Sequence, residues 1–157
     1  MHLKDIYARP GHLLRRAQQI ANAIFMEECA GLDMTPLQYD ALAAIGMQPG
    51  IDATRLGELI ACDRSTLGTL LARLEASDQV VRHGSAQDRR VKALYLTPQG
   101  NALLREAREA VDRAQARILA PLTPGEQWQF MRLLEQAVTL NNEHSRAPLK
   151  APPVMQD

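Results

Sequence analysis

Apolar residues recur at spacings of three and four along most of the 157-residue chain, which is the period of an amphipathic helix. These stripes predict helices over about residues 10–28, 36–47, 53–60, 64–76, 98–119 and 124–142. Between the fourth and fifth helices the period shortens, and residues 79–83 and 91–96 predict two strands joined by a polar tip. The pattern therefore predicts a mostly α-helical protein with one β-hairpin.

Pairs of threonine and proline mark the starts of three predicted helices, because threonine suits the N-cap position and proline the first helical position. The pairs are Thr35 and Pro36, Thr97 and Pro98, and Thr123 and Pro124. Gln38 and Glu126 stand at the third helical position and complete a capping box in two of these helices, whereas Gly100 takes that position in the other. Asp52 and Asp63 are the expected caps of the helices that begin at about residues 53 and 64.

The helices over 53–60 and 64–76 are separated by only three residues, which is typical of a helix-turn-helix. In the second of them, a stripe at helical spacing predicts the buried face, namely Leu67, Leu70, Leu71 and Leu74. Gly68 lies beside this stripe, where glycine destabilises a helix by about 1 kcal/mol relative to alanine. Its presence indicates close packing or the close approach of another backbone.

The residues outside the leucine stripe are short hydroxyls with an arginine at each end: Arg64, Ser65, Thr66, Thr69 and Arg73. Such side chains donate hydrogen bonds to phosphates and to base edges, so this helix is a candidate DNA-recognition helix. The alternative is that Ser65 and Thr66 only occupy the first turn behind the Asp63 cap.

The charge of the whole chain is balanced, with 18 basic and 18 acidic residues, and lacks the positive excess typical of nucleic-acid-binding domains. The predicted hairpin is nevertheless basic, because residues 80–96 contain Arg82, Arg89, Arg90 and Lys92 against Asp88 alone. An arginine on a narrow, extended tip fits a DNA minor groove, and Asp88 would hold the neighbouring guanidinium in place. The alternative is an ordinary solvated loop tip.

The composition, 46% hydrophobic and 23% charged, is that of an ordinary single-domain globular protein. No run of 18 apolar residues is present and the N-terminal segment is charged, so we expect a cytoplasmic protein. Cys29 and Cys62 are too few for a disulfide framework, and the four histidines lack metal-ligand spacing. No catalytic constellation or phosphate-binding glycine loop is visible, so we expect neither an enzyme nor a bound cofactor or metal.

The terminal helices carry broad apolar stripes, and a helix of 20 residues is about 30 Å long, so one small domain does not easily cover them. We therefore expect a homodimer in which the ends of two chains interdigitate, the alternative being a compact monomer. Residues 1–35 then hold an N-terminal dimerisation helix, 36–97 the DNA-binding domain, 98–147 the C-terminal dimerisation helices and 148–157 a disordered tail.

Over about residues 37–104 the chain resembles the MarR family of bacterial winged helix-turn-helix regulators. The likeness is carried by LGELIACDRSTLGTLLARLEASDQVVRHGSAQDRRVKALYLTPQG, which contains an Asp-x-Arg motif at Asp88 and Arg90. The resemblance implies a dimer that reads a short inverted repeat of double-stranded DNA, usually as a repressor. It also implies a fold with one β-hairpin wing and long dimerisation helices. One departure is Asp78, where the family usually has glycine, which adopts a left-handed conformation more readily.

The family resemblance also assigns roles to the candidate DNA-binding residues. The recognition helix would enter the major groove, through Arg64, Ser65, Thr66, Thr69 and Arg73. The wing would enter the minor groove through Arg89 and Arg90, and Asp88 and Lys92 complete the predicted DNA-binding set.

Members of this family commonly release DNA when a small phenolic or aromatic carboxylate binds between the dimerisation helices and the winged domain. Side chains that suit such an effector are His12, Arg15, Arg16, Tyr39 and Asp40, since arginine pairs with carboxylates and tyrosine or histidine orients rings. The alternative is that Arg15 and Arg16 are solvated or intersubunit charges. The opening RPGHLLRRAQQI resembles branches that control the catabolism of aromatic or heteroaromatic acids, such as nicotinate derivatives.

Two other functions stay open on the sequence alone. Cys62 directly precedes the recognition helix, where a helix N-terminus lowers a thiol pKa, so a redox-sensing repressor is one alternative and a buried structural thiol the other. A winged-helix module that binds proteins is the second alternative function, because a fold does not dictate a function. The arginine, serine and threonine face favours DNA, since a protein-binding face would carry more aromatic and apolar residues.

Overall fold

A computed structural model describes residues 2–84 and 92–150 of the chain. Within these ranges the helices are α1 (Leu3–Tyr7), α2 (Pro10–Glu28), α3 (Pro36–Met47), α4 (Ala53–Leu59), α5 (Arg64–Ala76), α6 (Pro98–Leu119) and α7 (Pro124–Leu140). The strands β1 (Ile51–Asp52), β2 (Val80–Gly84) and β3 (Lys92–Leu96) form one antiparallel sheet in the order β1-β3-β2. A short 3-10 helix over Asn142–His144 follows α7.

The predicted helices are confirmed, with small differences at their ends. Helix α4 ends one residue earlier than expected and α7 two residues earlier, while each of the two hairpin strands begins one residue later. The 3-10 helix after α7 and two other elements were not predicted. Helix α1 is only five residues long and buries none of them, and β1 is a two-residue strand that pairs Ile51 with Leu94. Neither element is long enough to show a hydrophobic period.

The helix starts form as the threonine and proline pairs predict. Thr35 accepts a hydrogen bond from the Gln38 amide, and the Gln38 side chain accepts one from the Thr35 amide at 2.7 Å. The capping box of Thr123 and Glu126 repeats this arrangement. At the start of α6, the Thr97 hydroxyl accepts a hydrogen bond from the Gly100 amide at 3.0 Å. Glycine has no side chain that could complete a capping box there. Only glycine fits there, because a Cβ atom at position 100 would lie 2.0 Å from the carbonyl oxygen of Gln79.

Asp78 adopts the left-handed conformation that its place in the chain requires, with φ of 52°. Its carbonyl oxygen accepts a hydrogen bond from the hydroxyl of Thr97, the buried cap of α6. The turn between α5 and β2 is therefore held from the start of α6, and aspartate takes the role that glycine usually has here.

The core lies where α3, α4 and α5 meet the sheet and the inner face of α6. Its fully buried side chains include Leu42, Ile45, Leu56, Leu71, Leu74 and Leu94. Small residues on α6, among them Ala107 and Ala114, let that helix pack closely against the C-terminal half of α2. Ion pairs of Arg113 and Arg117 with Glu27 and Glu28 tie the two helices at the surface.

The terminal helices are far less covered than this core. Helix α7 buries no side chain in the single chain, and α2 buries only Phe25. Large apolar side chains on both helices are exposed, including Leu13, Leu14, Ile20, Trp128, Met131 and Val138. No helix within residues 2–84 and 92–150 is both long and apolar enough to cross a membrane.

Two residues of the segment that the sequence predicts to be a disordered tail, Leu149 and Lys150, form backbone hydrogen bonds in the structure. The amide of Leu149 donates to Asn142 Oδ1 at 2.8 Å, and the amide of Lys150 donates to the carbonyl oxygen of Glu58 at 2.9 Å. The second of these hydrogen bonds holds the chain against α4, which is far from it in sequence. Residues 151–157 lie outside the described part of the chain.

Candidate nucleic-acid interface and ligand cavity

The outward face of α5 carries the five residues that the sequence singled out on this helix. The inner stripe of Leu67, Leu70, Leu71 and Leu74 is buried in the core, as predicted. Because that stripe fixes the rotation of the helix, the polar residues point away from the core. All five are exposed: Arg64, Ser65, Thr66, Thr69 and Arg73.

Asp63 fixes the first turn of α5. Its carboxylate accepts from the amides of Ser65 and Thr66 at 3.1 and 3.0 Å and from the Thr66 hydroxyl at 2.8 Å. The hydrogen bonds from Thr66, with smaller effects of the Ser65 amide and the charge of Arg146, lower the pKa of Asp63. Thr66 thus also serves the cap, whereas the Ser65 hydroxyl stays on the exposed face.

Gly68 has no neighbour that would explain it by packing. An added Cβ atom would meet nothing within 4 Å, so the close packing that the sequence suggested does not occur in the single chain. The other explanation, the close approach of a backbone from outside, stays a prediction.

A cavity of about 330 Å³ with a mixed polar and apolar lining lies between α5 and the start of α3. Ser65, Thr66, Thr69 and Arg73 line one side, and Thr35 and Gln38 line the other. Thr35 and Gln38 were predicted only as a capping box, and nothing in their local sequence indicates a position beside α5. The cavity widens the candidate DNA interface beyond α5, with a hydroxyl and an amide that can hydrogen-bond phosphates.

The wing is described only at its two strands. Lys92 is exposed at the start of β3, opposite Gly84, and lines a second surface cavity with Asp52 and Thr54. Arg82 does not add a free positive charge, because its Nε donates to Glu75 Oε1 at 2.8 Å. The predicted wing residues Asp88, Arg89 and Arg90 lie outside the described residues.

The predicted effector residues do not gather in one place within the single chain. Asp40 lines a mostly apolar cavity of about 530 Å³ between α3 and α4, together with Ala43, Ala44, Met47, Gln48, Leu59, Ile60, Ala61 and Leu149. None of the other four predicted residues belongs to this lining.

Those four residues have different surroundings. Tyr39 is half-buried, and burial, followed by the charge of Asp112 on α6, raises the pKa of its hydroxyl. On α2, the ring of His12 lies 5.5 Å from that of Tyr7, and Arg15 donates to Gln19 at 3.3 Å. Arg15 and its neighbour Arg16 are exposed.

Asp40 is the one ionisable group in the lining of that cavity. The surrounding protein desolvates its carboxyl and raises the pKa, although the residue as a whole is exposed to solvent. A carboxyl in such a position favours partners that donate a hydrogen bond to it.

The chain is similar to known proteins over most of its length. A sequence profile described as the MarR family matches residues 32–91. The transcriptional regulator HosA of Escherichia coli is 33% identical over 125 residues, which cover 80% of this chain and 91% of HosA. The chain belongs to the MarR family.

Two further proteins show what this MarR chain is similar to. The transcriptional repressor Rv2887 of Mycobacterium tuberculosis is 29% identical over 126 residues, covering 80% of this chain and 91% of Rv2887. The structure of Bordetella bronchiseptica BpsR, whose DNA binding is regulated by 6-hydroxynicotinic acid, superposes with a TM-score of 0.79 at 28% identity. That match covers 87% of this chain and 96% of BpsR. The expected winged helix-turn-helix fold is thus confirmed, and the protein is a MarR-type transcriptional repressor and not an enzyme.

The thiols of this MarR protein do not have the surroundings of a redox sensor. Cys29 and Cys62 are both buried, and burial raises the pKa of each. Cys62 Sγ lies 3.6 Å from the carbonyl oxygen of Asp63, to which it donates. A raised pKa leaves less of the reactive thiolate, which is the opposite of what the redox alternative requires. Among the described residues, no group of three or more His, Cys, Asp or Glu is placed to hold a metal.

Proposed function

We propose that the protein binds an inverted-repeat operator as a homodimer, with α5 of each subunit in the major groove and the wing in the minor groove. The observation that carries this proposal is the exposed face of α5, on which the flanking arginines Arg64 and Arg73 enclose hydroxyls and no acidic residue. The two arginines are nine positions apart, which is a rise of about 14 Å along the helix axis. This equals the length of about four base-pair steps of DNA. One helix therefore spans the core of a half-site.

The residues that we assign to DNA follow from this placement. Arg64, Ser65, Thr66, Thr69 and Arg73 face the groove, and Lys92 lies at the base of the wing, where phosphate contacts position a protein on DNA. Thr35 and Gln38 join the set because they line the cavity beside α5. Asp88, Arg89 and Arg90 complete the set on the strength of the sequence.

The homodimer is proposed from the uncovered apolar side chains of the terminal helices. Trp128 is 68% exposed in the single chain and Met131 is 47% exposed, in a helix that buries no side chain of its own. A second copy supplies the matching surface, since a twofold interface places the same patch of each subunit against the other. Residues 1–35 and 98–147 are then the dimerisation parts and 36–97 the DNA-binding domain.

Titration of duplex DNA from upstream of the protein's own gene tests the DNA-binding proposal. Arg64→Ala and Arg73→Ala are expected to weaken operator binding, and loss of a phosphate contact makes the slope of log K against log salt shallower by about one. Arg105→Ala, which removes an exposed arginine of α6, is the matched control and should leave both quantities unchanged. Equal affinities for all four proteins would remove α5 from the interface.

For the effector, we propose a small aromatic or heteroaromatic carboxylate that binds in the cavity beside Asp40. The cavity volume lies within the usual range for small-molecule sites, and its wall is mostly apolar, as a ring requires. A hydroxypyridine ring in its pyridone form carries an N–H group that can donate a hydrogen bond to the carboxylate of Asp40. Similarity to BpsR, which responds to 6-hydroxynicotinic acid, supports this class of ligand.

The positive charge for the ligand's carboxylate has to come from outside this cavity, because its lining contains no cation. Arg15 and Arg16 on the exposed part of α2 are the groups that we assign to this role, with His12 and Tyr39 as ring contacts. In a dimer with intertwined ends, α2 of a second copy is able to bring these arginines to the cavity.

Release of operator DNA by a panel of benzoate, salicylate, nicotinate and 6-hydroxynicotinate tests the effector proposal. Asp40→Asn should keep the operator affinity and raise the concentration of acid needed for release. Asp33→Asn changes an exposed aspartate outside the cavity in the same way and should respond as the wild type does. An identical response of the Asp40 variant would place the effector elsewhere.

A further inference from the structure

The residues after α7 return to the DNA-binding domain, which the sequence did not predict. We call residues 145–150 the C-terminal strap. Near its C-terminal end, Asn142 holds Leu149 through two hydrogen bonds, accepting from its amide at 2.8 Å and donating to its carbonyl oxygen at 3.2 Å. The next residue, Lys150, reaches α4, the first helix of the helix-turn-helix.

Three contacts fasten Lys150 to α4. Its amide donates to the carbonyl oxygen of Glu58 at 2.9 Å, and its ammonium donates to Glu58 Oε1 at 2.8 Å. Arg55 donates to the carbonyl oxygen of Lys150 at 2.8 Å. Hydrogen bonds from Lys150 and then from Arg55 lower the pKa of Glu58, so the carboxylate is ionised at neutral pH.

The strap also forms one wall of the cavity that Asp40 lines. Leu149 lines that space together with Met47 of α3 and with Leu59 and Ile60 near the end of α4. The cavity keeps a volume of about 530 Å³ with Leu149 in place, so an occupant does not have to displace it. Leu149 is still 44% exposed, and a ring in the cavity would cover part of that apolar surface.

We propose that the C-terminal strap is a latched lid over this cavity, with Leu149 as part of the effector site and the pair of Lys150 with Glu58 as the latch. The proposal rests on the proposed ligand response. An occupant that touches Leu149 does so only while the strap is docked, so its binding shifts the strap toward the docked state. Because the strap joins the end of α7 to α4, docking also restricts movement of the DNA-binding domain relative to the terminal helices.

Limited trypsin digestion measures the docking of the strap, since trypsin cleaves after lysine and Lys150 is engaged on α4 when docked. The mass of the product that ends at Lys150 reports this cleavage. In the wild type, 6-hydroxynicotinate should slow its formation. Glu58→Gln weakens a partly exposed ion pair and should raise the rate without ligand by about two- to fivefold. Glu109→Gln, an exposed glutamate of α6, is the matched control and should cleave as the wild type does.

A second variant tests the apolar contact of Leu149 separately from the hydrogen bonds of Lys150. Leu149→Ala keeps the contacts of Lys150 and removes the apolar wall, so 6-hydroxynicotinate should protect it less than the wild type and should be needed at higher concentration to release operator DNA. Equal cleavage of Glu58→Gln and wild type, or faster cleavage with ligand, would overturn the lid.

Operator titration on the same samples distinguishes this proposal from the one on which it rests. Acid that releases the operator without changing the cleavage at Lys150 overturns the strap alone. Acid that neither releases the operator nor changes cleavage overturns the ligand response and the strap with it.

Discussion

Gly68 and Gly100 show how differently the same residue type is used in neighbouring parts of the chain. Gly100 is required by the fold, because a Cβ atom there would collide with the carbonyl oxygen of Gln79. Gly68 is not required by the fold, since the space above it is open and its backbone is an ordinary part of α5. We therefore expect its value to lie in what approaches the helix from outside.

Alanine at these two positions is expected to act in opposite directions. Gly100→Ala should lower the free energy of unfolding by about 1–3 kcal/mol, the usual range for an overpacked site. Gly68→Ala should raise it by up to about 1 kcal/mol through helix propensity, and should weaken operator binding. Urea denaturation and operator titration measure both effects. A Gly68→Ala protein that is more stable and binds the operator equally well would show that DNA does not approach this glycine.

The elements that sequence reasoning located well are those that carry their own boundary signals. Helices α3, α6 and α7 each begin with a threonine cap and a proline, and these local features act within one turn. The outward face of α5 was predictable for the same reason, because the leucine stripe fixes the rotation of the helix.

What the sequence did not predict depends on contacts between distant parts of the chain. The C-terminal strap contains few signals of its own, and its partners Glu58 and Arg55 lie more than 90 positions earlier. The wall of the effector cavity likewise joins α3, α4 and Leu149. Only a folded chain brings such residues together, so a proline-containing tail looks disordered in the sequence.

The cap of α5 gives this element a pH dependence. The folded-state pKa of Asp63 is lowered, so its contribution to stability is present above the unfolded pKa of about 3.9 and is lost as pH falls through the folded value. Asp63→Asn caps a helix without titrating. The melting temperature of this variant should therefore fall less than that of the wild type between pH 5 and pH 3. The difference between the two falls is the part of the pH dependence that comes from the Asp63 carboxylate. Thermal denaturation across this range measures it, with Asp33→Asn as the control. Equal falls in all three proteins would contradict the role of the cap.

At the scale of the whole molecule, the described chain divides into a covered core and terminal helices with uncovered apolar faces. The ion pairs between α2 and α6 hold one of these helices to the core. Helix α7, by contrast, makes its main contacts with the 3-10 helix that follows it. A helix so little supported by its own chain is expected to gain its stability from a second copy.

A charge in the apolar face of α7 tests this expectation. Met131→Asp should shift the mass in solution from that of a dimer toward that of the 17.4 kDa chain, because burying an unpaired carboxylate in an interface is strongly unfavourable. Gln136→Asp introduces the same charge on the polar side of the helix and should leave the dimer intact. Light scattering across a range of protein concentrations measures both. A wild-type mass of one chain at all concentrations would contradict the dimer.

In α5, the residues that stabilise the helix are different from the residues on its exposed face. Its leucines and the Asp63 cap carry the stability of the helix, while Arg64, Ser65, Thr69 and Arg73 make few contacts that the fold needs. With the DNA interface proposed above, substitutions on this face would therefore change which promoter is read and leave the scaffold intact. After gene duplication, a new target gene would require only a few exchanges on one helix, and the proposed effector site would be inherited unchanged.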